Sequence, residues 1–244
     1  MPLITTAHDR GVTTLTLDAP DTRNALSARL VAELVDALSG CAEDPSVRAV
    51  VLTHTGGTFS AGADLTSPPS PYTFVALLRR MVELPKPVVA RVAGHVRAGG
   101  LGLLGACDIV VASETSDFAF TEVRIGVAPA VISLTLLPRL DARAATRYYL
   151  TGERFDAREA ARIGLTTLTT DDVDKALAPV LDSLRKGSPQ GLAESKRLVT
   201  ARVLASFERD AEDLVQRSAS LFASTEAREG MTAFLERRDP VWAI

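Results

Sequence analysis

Residues 87–112 read PVVARVAGHVRAGGLGLLGACDIVVA, and the order of patterns inside them decides the fold. Residues 87–92 are apolar and rich in valine, delivered by Pro85-Lys86-Pro87, which marks a strand. Gly94-His95-Val96-Arg97-Ala98-Gly99-Gly100 is a glycine-rich turn, and a helix follows near residues 100–107. Residues 108–112, DIVVA, form the short apolar run typical of a strand buried on both faces. Strand, turn, helix and strand in that order make a crossover unit, so the core is α/β and mostly parallel.

The same alternation continues toward the N-terminus. Residues 12–17 (VTTLTL) alternate with period two and read as a strand. Asp18, Pro20 and Asp21 then turn the chain. Ser27 caps a helix running to about residue 38, with Leu30, Leu34 and Leu38 along one face. Residues 49–53 (AVVLT) are a further buried strand, broken by Gly56-Gly57, and residues 66–72 (TSPPSPY) read as a loop. From residue 141 onward the text reads as helical, in segments 142–149, 157–163, 173–186, 193–203, 207–222 and 225–237. The resulting division is an α/β core over residues 1–187 and a helical region over 188–244, packing on the core or on a neighbouring subunit.

Composition narrows the function classes. The 244 residues are 46% hydrophobic and 23% charged, which suffices for a core without disulfide or metal staples. Twenty-seven basic residues against 30 acidic ones give a net charge of -3, with no basic stripe to attract nucleic acid. Only Cys41 and Cys107 occur, so a disulfide framework is not expected and a cytoplasmic location is. His8, His54 and His95 lie far from both cysteines, outside any zinc spacing. His8, Asp9 and Arg10 interrupt the N-terminus before a signal-peptide core can form, and no stretch has the length of a membrane span.

Two glycine turns carry the chemistry. Phe59-Ser60-Ala61-Gly62-Ala63-Asp64-Leu65 follows the strand at 49–53, as the turn ending in Gly99-Gly100 follows the strand at 87–92. Small residues let a ligand approach the backbone closely. A helix start offers free N–H groups and a partial positive charge. Two such turns on adjacent strands can aim one N–H each at a single oxygen, an arrangement worth about 3–4 kcal/mol per donor. The Gly99 turn lacks an in-register GxGxxG, a GK[ST] and a GxSxG, which argues against NAD, ATP and a serine nucleophile.

Through these turns the sequence resembles the crotonase superfamily, the enoyl-CoA hydratase/isomerase family. The matching pieces are Asn24-Ala25-Leu26, residues 59–65, residues 87–100 with Ala106-Cys107-Asp108-Ile109, and residues 120–129 (FTEVRIGVAP). Residues 150–157 (LTGERFDA), 160–165 and 233–240 (AFLERRDP) complete the series in family order over nearly the whole chain. The resemblance implies a spiral of repeated strand-strand-helix units with a C-terminal helical region. It implies an acyl-CoA substrate whose enolate is stabilised, with no metal and no cofactor beyond the coenzyme A of the substrate itself. It also implies a homotrimer, or a hexamer built as a dimer of trimers. Carried position by position, it makes Ala63 and Gly99 the oxyanion donors and Glu122 the acid/base. Arg23, Ala25, Ala61, Asp64, Leu65 and Thr66, together with Ala63 and Gly99, then line the CoA ester.

Each role has a plainer alternative. Arg23 is otherwise a solvated loop charge, and Glu122 an exposed glutamate that pairs with Arg124 or caps a turn. Arg97 either grips a carboxylated acyl group or, the favoured reading, pairs with a nearby acid, and His95 beside it reads as structural. The departure from the family lies at Gly102. Its hydratases carry a second glutamate three residues past the oxyanion glycine, and that position is Gly102 here. Adding water is easiest with two carboxylates, whereas moving a double bond needs one. Three readings stay open: hydration of a 2-enoyl-CoA, Δ3/Δ2 isomerisation, and a non-catalytic acyl-CoA-binding paralogue. Residues 130–133 (AVIS) stand where many relatives have glycines, so bulkier side chains reshape the acyl pocket.

Overall fold

The computed structural model describes residues 1–244. β1 (Ile4–Asp9) and β2 (Val12–Leu17) form a hairpin whose tight turn, Arg10-Gly11, takes positive φ at both positions. α1 (Ala28–Glu43) follows, capped by Ser27 as its sequence predicts but five residues longer than the leucine stripe suggests. Three strand pairs then repeat one plan. β3 (Ala49–His54) and β4 (Thr58–Ser60) lead to α2 (Pro71–Glu83). β5 (Val88–Val92) and β6 (His95–Arg97) lead to α3 (Gly99–Ala106). β7 (Ile109–Ser113) and β8 (Asp117–Ala119) lead to a 3-10 turn (Glu122–Ile125), α4 (Ser133–Leu136) and α5 (Ala142–Thr151). The first strand of each pair enters a six-stranded sheet ordered β1-β2-β3-β5-β7-β10, and the second enters a four-stranded sheet ordered β4-β6-β8-β9. This is the expected spiral of strand-strand-helix units. Within it β3, β5 and β7 are parallel neighbours, as are β4, β6 and β8.

The remaining elements are β9 (Phe155–Asp156), α6 (Ala157–Arg162), β10 (Leu168–Thr170), α7 (Val173–Lys186), α8 (Pro189–Phe222) and α9 (Thr225–Glu236). Reading everything after residue 141 as helical is therefore wrong at two places. β9 pairs antiparallel with β8, and β10 closes the edge of the large sheet beside β7. Both are too short to show a period. The short strands β4, β6 and β8 escape for the same reason, and β6 lies inside what reads as a turn. Segments 193–203 and 207–222 are one helix, because Leu204-Ala205-Ser206 contains no breaker, and α8 starts earlier, at Pro189 under a Ser188 cap. Residues 66–72 are not all loop. Ser70 accepts from the Thr73 N–H and Pro71 opens α2, so the last two residues are a helix start.

Two cores hold the large sheet. Leu15 and Leu52 meet α1 and α2 on one face through Leu30, Leu34 and Leu77. Val12, Val51, Val89 and Val111 meet α7 on the other through Val173 and Leu177. Each fully buried aliphatic side chain of this kind contributes about 1.5–3 kcal/mol of transfer free energy. No helix is long and apolar enough to cross a membrane.

Candidate active site

Three site segments leave the C-terminal ends of three adjacent parallel strands. The Ala61–Asp64 turn follows β4, the Ala98-Gly99 turn follows β6, and the Glu122 turn follows β8. That edge of a parallel sheet is where open α/β folds place their ligands. The two glycine turns interlock. Gly62 holds φ +91°, and a Cβ there would lie 2.9 Å from the Cβ of Ala98 and 3.3 Å from the Arg97 carbonyl. Only glycine satisfies both the backbone angle and the space. A Cβ on Gly99 would lie 3.8 Å from the Ala63 nitrogen, so the two turns come within van der Waals reach of each other at these residues. Neither residue's N–H donates to any acceptor of the protein. Ala98 itself holds φ 46°, ψ -119°, a conformation strained for a residue with a side chain, and it sits directly before the helix start.

The first turn is fixed from below. Asn24 is fully buried at φ 52°. Its Oδ1 accepts from the Ala19 N–H, and its Nδ2 donates to the carbonyls of Thr55 and Thr58. Leu26 then bridges to Ala63, donating to the Gly62 carbonyl at 2.8 Å and accepting from the Asp64 N–H at 3.1 Å. Ala25, between Asn24 and Leu26, is half-buried. Asp64 Oδ1 gathers the Thr66 N–H and hydroxyl at 2.9 and 2.6 Å; the hydroxyl first, then the N–H, lowers its pKa, and Leu65 is half-buried beside it. Ala61 donates to the Arg23 carbonyl at 3.0 Å. Arg23 and Arg237, with Phe234 and Leu235, line a cavity of about 450 Å³ beside this turn.

Glu122 is only 8% exposed, and its Oε2 is buried with no hydrogen-bond partner. Arg124 does not pair with it; its Nε donates to the Gly152 carbonyl at 3.1 Å. Burial pushes the Glu122 carboxyl up to about 7, opposed only by its own backbone N–H. On α3, a Cβ on Gly102 would lie 2.5 Å from Ile132 Cγ2. Ile132 thus fills the space a side chain at 102 needs, and the bulky 130–133 segment and the absence of a second carboxylate are one fact. Tyr149 has no motif to mark it, yet burial pushes its hydroxyl pKa up, its ring lies 4.6 Å from that of Phe120, and its hydroxyl is 3.3 Å from Ser133 Oγ. A tyrosine on an amphipathic helix carries no signal of such a place.

Arg97 is engaged elsewhere. Its guanidinium donates to the carbonyls of Val96 and Asp117 at 2.9 Å and pairs with the Asp117 carboxylate. His95 Nδ1 lies 3.0 Å from the same carboxylate. Both residues staple β6 to β8, and the carboxylate-gripping reading of Arg97 falls. No group of three or more histidine, cysteine, aspartate or glutamate side chains is placed to hold a metal ion.

Known proteins resemble this chain over nearly its full length. The family model for enoyl-CoA hydratase/isomerase matches residues 7–243. A Thermus thermophilus protein assigned by its name to the enoyl-CoA hydratases is 35% identical over 241 residues, covering 92% of this chain and 94% of its own. The 1,2-epoxyphenylacetyl-CoA isomerase of Escherichia coli is 30% identical, with 98% of each chain covered. Among solved structures, an enoyl-CoA hydratase from Mycobacterium avium superposes with a TM-score of 0.92 at 55% identity over 99% of both chains. The chain belongs to the enoyl-CoA hydratase/isomerase family, the crotonase superfamily, and is an enzyme of the acyl-CoA class.

Proposed function

We propose that the protein moves a proton on the enolate of an acyl-CoA, with the Ala63 and Gly99 N–H groups holding the thioester oxygen and Glu122 carrying the proton. The observation that carries this reading is Glu122 itself, a buried carboxyl with an unpartnered oxygen and a pKa of about 7, on the turn that follows a strand of the same sheet whose other turns carry the two unclaimed N–H donors. A carboxyl poised near neutrality is half base and half acid, as a proton shuttle requires. In Δ3/Δ2 isomerisation, Glu122 takes a proton from C2 of a 3-enoyl thioester and the electron pair moves onto the thioester oxygen. The proton returns at C4, leaving the double bond between C2 and C3. One carboxylate suffices, which agrees with Gly102 and the Ile132 packed against it.

Hydration is the second reading, favoured by the names of the Thermus and Mycobacterium relatives. There Glu122 deprotonates a water that attacks C3 and then protonates C2. Arg23 and Arg237 suit the phosphate-bearing end of coenzyme A, with Ala25, Ala61, Asp64, Leu65 and Thr66 along the path to the turn. A trimer or hexamer in the cytoplasm completes the proposal. Mass spectrometry of 3-enoyl- and trans-2-enoyl-CoA esters after incubation in deuterated water tests it. Deuterium uptake without added water means isomerisation, and a gain of one water means hydration. Tight binding with neither leaves a non-catalytic acyl-CoA binder.

A further inference from the structure

Glu122 has no side-chain partner, so its position depends entirely on the backbone of its 3-10 turn. That turn is seated on α9. A Cβ on Gly230 would lie 2.5–2.6 Å from the backbone C, Cα and O of Ile125. A Cβ on Gly126, which holds φ +76°, would lie 2.7 Å from the backbone of Glu226. Ala227 and Ala233 are buried one helical turn to either side of Gly230. Helix and turn therefore meet backbone to backbone, without flexible side chains between them to absorb a shift. The far end of the same helix supplies Phe234 and Leu235, and its C-cap Arg237 holds φ 57°. Those three residues join Arg23 around the cavity beside the Ala61 turn. One rigid element of 12 residues thus touches the acid/base turn at one end and an arginine-lined cavity at the other.

We propose that α9 is a positioning element that couples the two. An anionic group held between Arg23 and Arg237 seats α9, and through Gly230 the helix fixes the Glu122 turn in its reactive place. Binding energy from the distant, non-reacting end of the substrate then appears as rate at the reacting end. The inference rests on the acyl-CoA reading above and adds a direction. The nucleotide end of coenzyme A contributes to kcat, and Gly230 and Arg237 are the residues that transmit it.

The test compares one enoyl group carried on coenzyme A with the same group on pantetheine, which lacks the phosphates and the nucleotide. For the unaltered protein, saturating kcat is expected to be at least tenfold lower on the pantetheine ester, the scale on which small misplacements of a catalytic group act. Gly230→Ala forces a carbon against the Ile125 backbone. It is expected to lower kcat on the CoA ester about tenfold while KM moves less than threefold, and to shrink the gap between the two esters. Arg237→Gln lies on the surface, so it tests the same idea where Gly230→Ala fails to fold. It lowers kcat on the CoA ester and narrows the gap between the two esters. Equal kcat on both esters in the unaltered protein overturns the coupling while leaving the activity standing. An Arg237→Gln effect confined to KM overturns the coupling as well. No turnover of either ester overturns the functional reading itself.

Discussion

Two buried carboxylates on consecutive parts of the fold have opposite surroundings. Asp108, between α3 and β7, offers its Oδ2 to Lys196 Nζ at 2.8 Å and to the Val88 N–H at 2.8 Å. Lys196 also donates to the Met81 and Lys86 carbonyls, at 2.8 and 3.1 Å. This cluster ties the long α8 to the end of the large sheet. Burial holds the Lys196 pKa below the usual lysine range, and the nearby Asp108 partly restores it. Each carboxylate keeps one buried oxygen without a partner, Asp108 Oδ1 and Glu122 Oε2, but Glu122 is comparably buried and no cation and no other residue pairs with it. The first arrangement fixes structure, because removing either ion strands the other in a dry place. The second leaves a group whose charge is cheap to change, which is the property of a proton carrier.

The largest expected effect lies at the unpaired carboxyl. Glu122→Gln keeps the shape and removes the titration, so kcat on the accepted enoyl-CoA falls by about 10³-fold. Steady-state kinetics reads it, and a loss below about tenfold means that another group carries the proton. At the paired carboxyl the effect moves from activity to stability. Lys196→Met leaves Asp108 buried without its cation and costs about 3–5 kcal/mol, read as a shift in the urea midpoint. The added change Asp108→Asn keeps an acceptor for the Val88 N–H and recovers most of the loss. Failure to recover breaks the contrast drawn between the two sites.

The third effect turns on pH. The folded Glu122 pKa of about 7 lies above its ordinary value of 4.5, so the native state binds the proton more tightly than the unfolded chain. The stability this proton contributes is fully present below about pH 4.5 and is lost as pH rises through about 7, by up to about 3 kcal/mol. Glu122→Gln therefore matches the unaltered protein in melting temperature at about pH 4 and exceeds it at about pH 8. A difference of melting temperatures that does not change with pH removes the basis for the raised pKa. By the same titration, kcat/KM of the unaltered protein rises with pH through about 7 as the base form appears. The smallest effect belongs to Arg97→Gln, which loses a partly exposed pair with Asp117 worth about 1 kcal/mol. Selectivity between neutral and carboxylated acyl-CoA esters stays unchanged in a competition assay.

Legibility in the sequence followed length of pattern. The strands at residues 12–17 and 108–112 could be read because runs of five or six apolar or alternating residues leave a period. β4, β6 and β8 are three residues each and left none, although they are the strands that carry the site segments. Ser27 announced its helix because capping is local, and Ser70-Pro71 carried the same signal inside a stretch that reads as loop. For Arg97, two residues before Gly99, the favoured reading is a pair with a nearby acid; the structure bears that out and supplies the acid, Asp117, twenty residues away.

By itself the sequence determined the α/β order, the family, and the residue types offered at Ala63, Gly99, Glu122 and Gly102. These follow from local backbone preference and from motifs that survive in a linear text. Only the tertiary structure decided that the Glu122 Oε2 is buried without a partner, that Ile132 occupies the space beside Gly102, and that α9 rests on the Glu122 turn through Gly230. A pKa, an occupied volume and a backbone-to-backbone contact are set by what surrounds a group in space. Ile132 reaches Gly102 across 30 residues of chain, and Gly230 reaches Ile125 across 105, distances over which a linear pattern carries no period.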